Sequence, residues 1–287
     1  MMILVTGGTG RLGTLVVTRL AARGLDVRVF TRDPARAEHL TGVATSVAVG
    51  DVRNRPSIDA AMRDVTTVVS AVHGFAGPGR VTPDSVDRRG NANLIDAAAT
   101  VGADVVLMST VGAASDSPLE LFRAKHDAEE HLRATAVPWT IVRATAFIEL
   151  WAEIMAKPIV FGRGDNPINF VSVRDVAAVV ECAVVDVSLR GQILEVGGPK
   201  NVSFNDLAAL LNDVRGRDAK VRHVPRPVLR ALAPLVRPVR AALAMDTTDM
   251  SFDASAHRVA LGGIPMTDLR TALNIATTGL QPDGAQF

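Results

Sequence analysis

Apolar residues in the first half of the chain take two alternating arrangements: short unbroken runs, and stretches where they recur every third or fourth position. The runs at 2–5, 27–30, 45–49, 67–71, 104–109 and 139–142 have the length and valine content of buried strands. Helical spacing links them at Leu12, Leu15, Val16 and Leu20, at 57–62, over 84–101 and over 119–135. Within 84–101, Val86, Gly90, Leu94, Ala97 and Val101 share one face, and the glycine on it predicts close packing. Alternation of this kind predicts an α/β fold, a Rossmann-like doubly wound parallel sheet covered by helices on both faces.

Past Arg143 the rhythm loosens. The patterns predict a helix at 147–155, a strand at 168–171, a helix at 172–186, a strand at 192–196 that returns to the main sheet, and a helix at 204–214. Prolines 225, 227, 234 and 238 break the apolar segment 225–244. The tail 277–287, rich in glycine and polar residues, is expected to be poorly ordered.

The turn out of the first strand, Thr6-Gly7-Gly8-Thr9-Gly10-Arg11-Leu12-Gly13, carries the strongest chemical signal. Glycines at 7, 10 and 13 permit a tight turn, a close approach of backbone to a pyrophosphate and close helix–sheet packing, while the N–H groups of the new helix favour phosphate charge. The spacing is G-x-x-G-x-x-G, and the following helix and second strand complete a βαβ unit. Thr6, Gly7, Gly10, Arg11, Leu12 and Gly13 are therefore candidate dinucleotide contacts. Residues 1–157, with the strand near 191–197, read as an NAD(P)-binding domain, and 158–287 as a smaller substrate lobe interleaved with the sheet.

Composition narrows the partners. The 287 residues are 48% hydrophobic and 21% charged, with a net charge of +1, so no nucleic-acid or membrane partner is expected and a small molecule is the expected partner. No apolar run approaches a membrane span, and the chain opens directly on a strand, which suggests a cytoplasmic protein. The single cysteine, Cys182, sits in an apolar helical pattern and reads as a small core residue.

Several segments together resemble the atypical short-chain dehydrogenase/reductases, closest to the NmrA-like and NAD(P)H-dependent quinone or azo reductase group. They are the glycine loop, Gly50-Asp51, the 90–98 stretch Gly-Asn-Ala-Asn-Leu-Ile-Asp-Ala-Ala, Lys125 followed by Glu129, Trp139-Thr-Ile-Val-Arg143, and Val171-Ser-Val-Arg-Asp-Val-Ala177. The resemblance spans roughly residues 1–215. It implies a Rossmann domain, a small C-terminal lobe and a nicotinamide cofactor, with Asp51 contacting adenine and Lys125 holding ribose hydroxyls. Asp51 reads equally as a cap of its loop.

Cofactor choice turns on the end of the second strand, Thr31-Arg32-Asp33-Pro34. Arg32 suits a 2′-phosphate, with Arg11 as a second candidate, and this favours NADP(H) over NAD(H). Asp33 precedes a proline and an alanine-rich stretch, and reads as a helix cap more readily than as an NAD carboxylate.

The catalytic pattern is incomplete. The family's Tyr-x-x-x-Lys appears here as Leu121-Phe-Arg-Ala-Lys125, and the chain has no tyrosine at all. That points to hydride transfer onto an acceptor that stabilises its own anion, a quinone-like or other conjugated molecule. Candidate participants are Lys125, Ser109 at a strand end and His73 in the loop after the fourth strand, with Phe75, Phe147 and Trp151 as an apolar wall for a flat substrate or as ordinary core. Arg143 and Asp175 read as a structural pair. Alternatives are a non-catalytic NADP(H) redox sensor, for which the basic segment 222–240 would be a partner surface, and an epimerase or carbonyl-reductase relative.

Overall fold

The structure, a computed structural model, describes residues 1–74, 81–255, 264 and 266–277. Its first unit alternates β1 (Met2–Thr6), α1 (Arg11–Ala22), β2 (Asp26–Thr31), β3 (Ser46–Val49), α2 (Arg55–Ala61), β4 (Val65–Ser70), α3 (Arg89–Val101), β5 (Asp104–Thr110), α4 (Glu120–Arg133) and β6 (Trp139–Ala144). Ile3, Leu4 and Val5 are wholly buried, as an interior parallel strand requires, and α1 turns Leu12, Val16, Val17 and Leu20 inward. Gly90 packs as its position predicts: a Cβ there would lie 2.7 Å from Val52 Cγ2.

Further along come β7 (Ala146–Phe147), α5 (Ile148–Ile154), β8 (Ile159–Phe161), β9 (Ile168–Val171), α6 (Val173–Val185), β10 (Gln192–Val196), β11 (Asn201–Val202), α7 (Phe204–Val214), β12 (Arg222–Val224), α8 (Arg226–Leu232) and α9 (Arg237–Met245). The main sheet has seven strands in the order β10-β6-β5-β4-β1-β2-β3. β1 pairs in parallel with both β2 and β4, so the order reverses beside it. In open α/β sheets the crevice at the carboxyl ends of such strands is where ligands bind.

Two compact units result, one of Met1–Arg143 with Val176–Glu195, the other of Ala144–Asp175 with the described residues from Val196 on. The opening stretch of the first unit ends at Arg143. The reason is local: the chain leaves β6 for β7, which pairs in parallel with β9 in a separate three-stranded sheet, β11-β9-β7. In the second unit, β12 and β8 form a parallel pair, and the fully buried Asp246 carboxylate accepts from Arg163 N and Gly164 N at 3.0 Å while pairing with Arg226.

Two further expectations change. The helix foreseen over 84–101 opens with a π turn at Asp84–Arg88, which leads into α3 and lets Asp87 point inward with no exposure. Arg143 and Asp175 are not partners. Arg143 pairs with Glu129 and Glu195 in its own unit, while Asp175 accepts from the backbone and hydroxyl of Thr267, both at 2.7 Å. Cys182 is half-buried, and burial pushes its thiol up. Among the described residues no helix is long and apolar enough to cross a membrane, and no group of side chains is arranged to hold a metal. Phe75 and the tail beyond 277 lie outside the described residues.

Candidate functional site

The glycine loop closes around one carbonyl. Gly10 N donates to Gly7 O at 2.9 Å, and Gly7 adopts φ +74°, where a Cβ would stand 2.6 Å from Ala71 O. At Gly13 a Cβ would meet Gly7 O at 2.1 Å. These two glycines are therefore demanded by the fold itself. Gly10 differs, because a Cβ there would touch only Gly7 O, at 3.2 Å, and otherwise face open space. Gly10 is also the cap of α1 and supplies no side-chain oxygen, so the first-turn N–H groups have no capping side chain. An uncapped helix start beside a glycine with an open face fits a phosphate group. Thr6 lies buried under the loop, its hydroxyl donating to Val69 O at 3.2 Å, and Arg11 and Leu12 begin α1 half-buried and buried.

At the neighbouring strand ends the charges sort themselves. Asp33 accepts from Ala35 N at 3.0 Å and caps the short 3-10 turn Pro34–Leu40, so its carboxylate is engaged as a cap. Arg32 stays exposed at the end of β2. Asp51, after β3, is grasped by Arg53, whose Nη2 reaches Oδ2 at 2.6 Å and whose Nε lies 3.0 Å from Oδ1. Arg53 foremost, with Arg32 adding to it, holds the Asp51 carboxyl below the usual carboxylate range despite partial burial. Beside Arg53 opens a cleft of about 450 Å³, also lined by Ser85, Arg89, Ala92 and Asn93. Arg53 escaped the sequence reading, although an arginine two residues after an acid on a strand-end loop is a recognisable pairing distance.

At the ends of β4 and β5 sits a buried polar network. Lys125, on the inner face of α4, places Nζ 3.0 Å from Val72 O, 3.0 Å from Met108 O and 2.9 Å from Asp87 Oδ1. The ammonium donates hydrogen bonds to the two carbonyls, and the Asp87 carboxylate is its counter-charge, with Oδ1 in ion-pair contact but not in a hydrogen bond. Asp87 in turn accepts from Gly74 N at 2.6 Å; Asn91 Nδ2 donates to Asp87 O at 2.7 Å and Ser70 Oγ to Asn91 Oδ1 at 2.5 Å. Asp87 and Asn91 stand one helical turn apart, next to the sheet-facing positions Val86, Gly90 and Leu94, and that placement among apolar residues was the available signal for a buried carboxylate.

His73 lies on this staple, between two residues it fixes. The residue is exposed. Burial foremost pushes its imidazole below the ordinary value, Asp87 opposes and Lys125 adds to the drop. That shift favours the neutral ring. Ser109 donates to the fully buried Glu129 at 2.5 Å, and Glu129 also takes Arg143 Nη2 at 2.6 Å, so the serine proton is engaged. Leu121, where the family pattern places tyrosine, is half-buried on α4.

In the second unit Phe147 is half-buried on β7. Trp151 packs at 4.7 Å from Phe204 and 6.4 Å from Phe170, ring centre to ring centre, which places it in an aromatic cluster of that unit.

Comparison with known proteins agrees with the geometry of the glycine loop and sheet. Residues 7–186 match the NAD(P)H-binding family. The chain is 31% identical over 225 residues to an NAD(P)H azoreductase of Xenophilus azovorans, covering 76% of each protein. It is 33% identical over 223 residues, 75% of this chain and 74% of the other, to a (4-alkanoyl-5-oxo-2,5-dihydrofuran-3-yl)methyl phosphate reductase of Streptomyces griseus. An NADPH-dependent quinone oxidoreductase from Escherichia coli, solved with NADPH, superposes with a TM-score of 0.76 at 21% identity over 95% of this chain and 98% of the other, a likeness of fold. By the match over most of its length, the chain belongs to the NAD(P)H-binding family.

Proposed function

We propose that this protein is an NADPH-dependent reductase that delivers hydride to a quinone-like or otherwise conjugated small molecule. What carries the reading is an open, uncapped phosphate cradle combined with a strand-end site that holds no tyrosine and whose serine and lysine protons are already engaged. The two sequence relatives support it, since each is named as a reductase, one of azo compounds and the other of a 5-oxo-2,5-dihydrofuran.

When bound, NADPH supplies the hydride. The first-turn N–H groups of α1 hold the pyrophosphate, with the open face of Gly10 admitting it. Arg32 meets the 2′-phosphate, and because Asp33 is occupied as a cap, no carboxylate competes for the ribose at that strand end. Lys125 and Asp87 fix Val72, Gly74 and Met108, and thereby the backbone on which His73 is carried. The neutral His73 ring offers one N–H as a hydrogen bond to the anion left by hydride addition, and a water molecule gives the single proton required and leaves as hydroxide. A conjugated acceptor spreads the incoming negative charge over its own π system, so a weak donor suffices.

Rapid mixing of the NADPH complex with a panel of quinones, azo dyes, enones and plain ketones tests this. Acceptor-dependent loss of NADPH absorbance with the conjugated compounds and none with the ketones is expected. The engaged protons of Lys125 and Ser109 also favour a second reading, a protein that binds NADP(H) to report redox state. That reading predicts tight binding and no oxidation by any acceptor.

A further inference from the structure

The basic, proline-broken segment is not absorbed by the reductase reading. Between Ala219 and Met245 the chain carries six cationic residues, Lys220, Arg222, Arg226, Arg230, Arg237 and Arg240, and no Asp or Glu, so the remainder of this nearly neutral protein is net negative. The short helices α8 and α9 bury Leu229, Ala233 and Met245 but leave Val228, Leu232, Leu235 and Val236 outside. Leu235, at the turn joining the two helices, is 84% exposed. Arg226 is drawn inward to Asp246, whereas among the described residues Arg222, Arg230 and Arg237 have no acidic partner. Single exposed leucines are ordinary; four exposed aliphatic side chains within nine residues, in a segment whose charges are all positive, are not.

We propose that the α8–α9 turn is a docking surface for an anionic lipid bilayer, with Leu235 and its aliphatic neighbours entering the headgroup boundary and Arg222, Arg230 and Arg237 meeting lipid phosphates. Charge selects this occupant. A second copy of the chain docked through the same face would set arginines against arginines, and a nucleic acid offers nothing for four aliphatic side chains to enter. A lipid surface supplies both halves, anionic headgroups over an acyl layer, and an aliphatic tip flanked by cations is the composition of interfacial anchors. The overall charge of +1 conceals this feature because acids elsewhere cancel it.

The test mixes the full chain with vesicles of phosphatidylcholine alone or of phosphatidylcholine with phosphatidylglycerol, and measures co-sedimentation. Binding to the anionic vesicles only, lost at high salt, is expected. Arg230→Gln and Arg237→Gln should each weaken it about fivefold, and Leu235→Ser should weaken it further. Circular dichroism and thermal unfolding of these surface variants check that the fold is kept. The proposal is overturned by an absence of binding to either vesicle, by equal binding to both, by binding that Leu235→Ser leaves intact, or by a concentration-dependent dimer that Leu235→Ser dissolves. None of these outcomes depends on turnover, so the reductase reading stands or falls separately.

Discussion

The glycine loop after β1 and the polar network after β4 and β5 both lie at carboxyl ends of neighbouring strands, yet they are built on opposite principles. The first is backbone alone, with an uncapped helix start and a glycine face left open. The second is made of buried charges, Lys125 and Asp87, which pair with each other and hold Val72, Met108 and Gly74, with Asp87 Oδ1 left without a hydrogen-bond donor among the described residues. Donors left without partners attract a ligand; donors already satisfied hold their surroundings in place. A reactive-looking side chain in a crevice is thus no guide to ligand contact until its partners are counted.

Substitutions can break this contrast at either end. The largest effect is expected at the open end: Gly10→Val should fold normally and bind neither NADPH nor NADH measurably, since its side chain fills the phosphate approach. Titration of the folded variant by cofactor fluorescence checks this, and unchanged affinity would move the cofactor elsewhere. At the closed end, Asp87→Ala leaves the Lys125 ammonium buried beside two carbonyls without its counter-charge, which should cost about 3–5 kcal/mol of stability in urea unfolding. Adding Lys125→Met to that variant should restore much of the loss, because replacing both members of a buried pair is far cheaper than stranding one.

Smaller effects sharpen the picture. Arg32→Ala should weaken NADPH about ten- to hundredfold and leave NADH nearly untouched, as expected for one hydrogen bond to a charged phosphate of roughly 1.5–3 kcal/mol. Equal losses for both cofactors would remove the 2′-phosphate contact. The smallest effect falls on His73. Its depressed pKa means that the ring is neutral above the usual histidine range and gains a proton only as pH falls below it. The rate of acceptor reduction should therefore be flat from pH 7 upward and change only on the acid side, and His73→Gln should lower it less than about tenfold.

Much of this was legible in the residues. Period and run length in β1 through β6 mark the sheet, and the 7, 10, 13 spacing marks the loop, because glycine requirements act locally and leave a local trace. Asp33 as a cap was readable for the same reason, from the proline beside it. The roles of Lys125 and Ser109 were not. Each looks available along the chain, and only the folded structure brings Val72, Met108 and Asp87 to the lysine and Glu129 to the serine, from separations of 53, 17, 38 and 20 residues. The π turn at Asp84–Arg88 was hidden similarly, since what it accommodates is the distant Gly74 N–H. The two-residue β7 is too short to show a period.

The division between an open cradle that binds and a closed network that holds is tested most directly by titrating NADPH into folded Lys125→Met. If Lys125 acts only on Val72, Met108 and Asp87, NADPH affinity should stay within about threefold of wild type while the thermal midpoint falls. A loss of about a hundredfold in affinity at unchanged stability would instead put the ammonium on the cofactor and contradict the account.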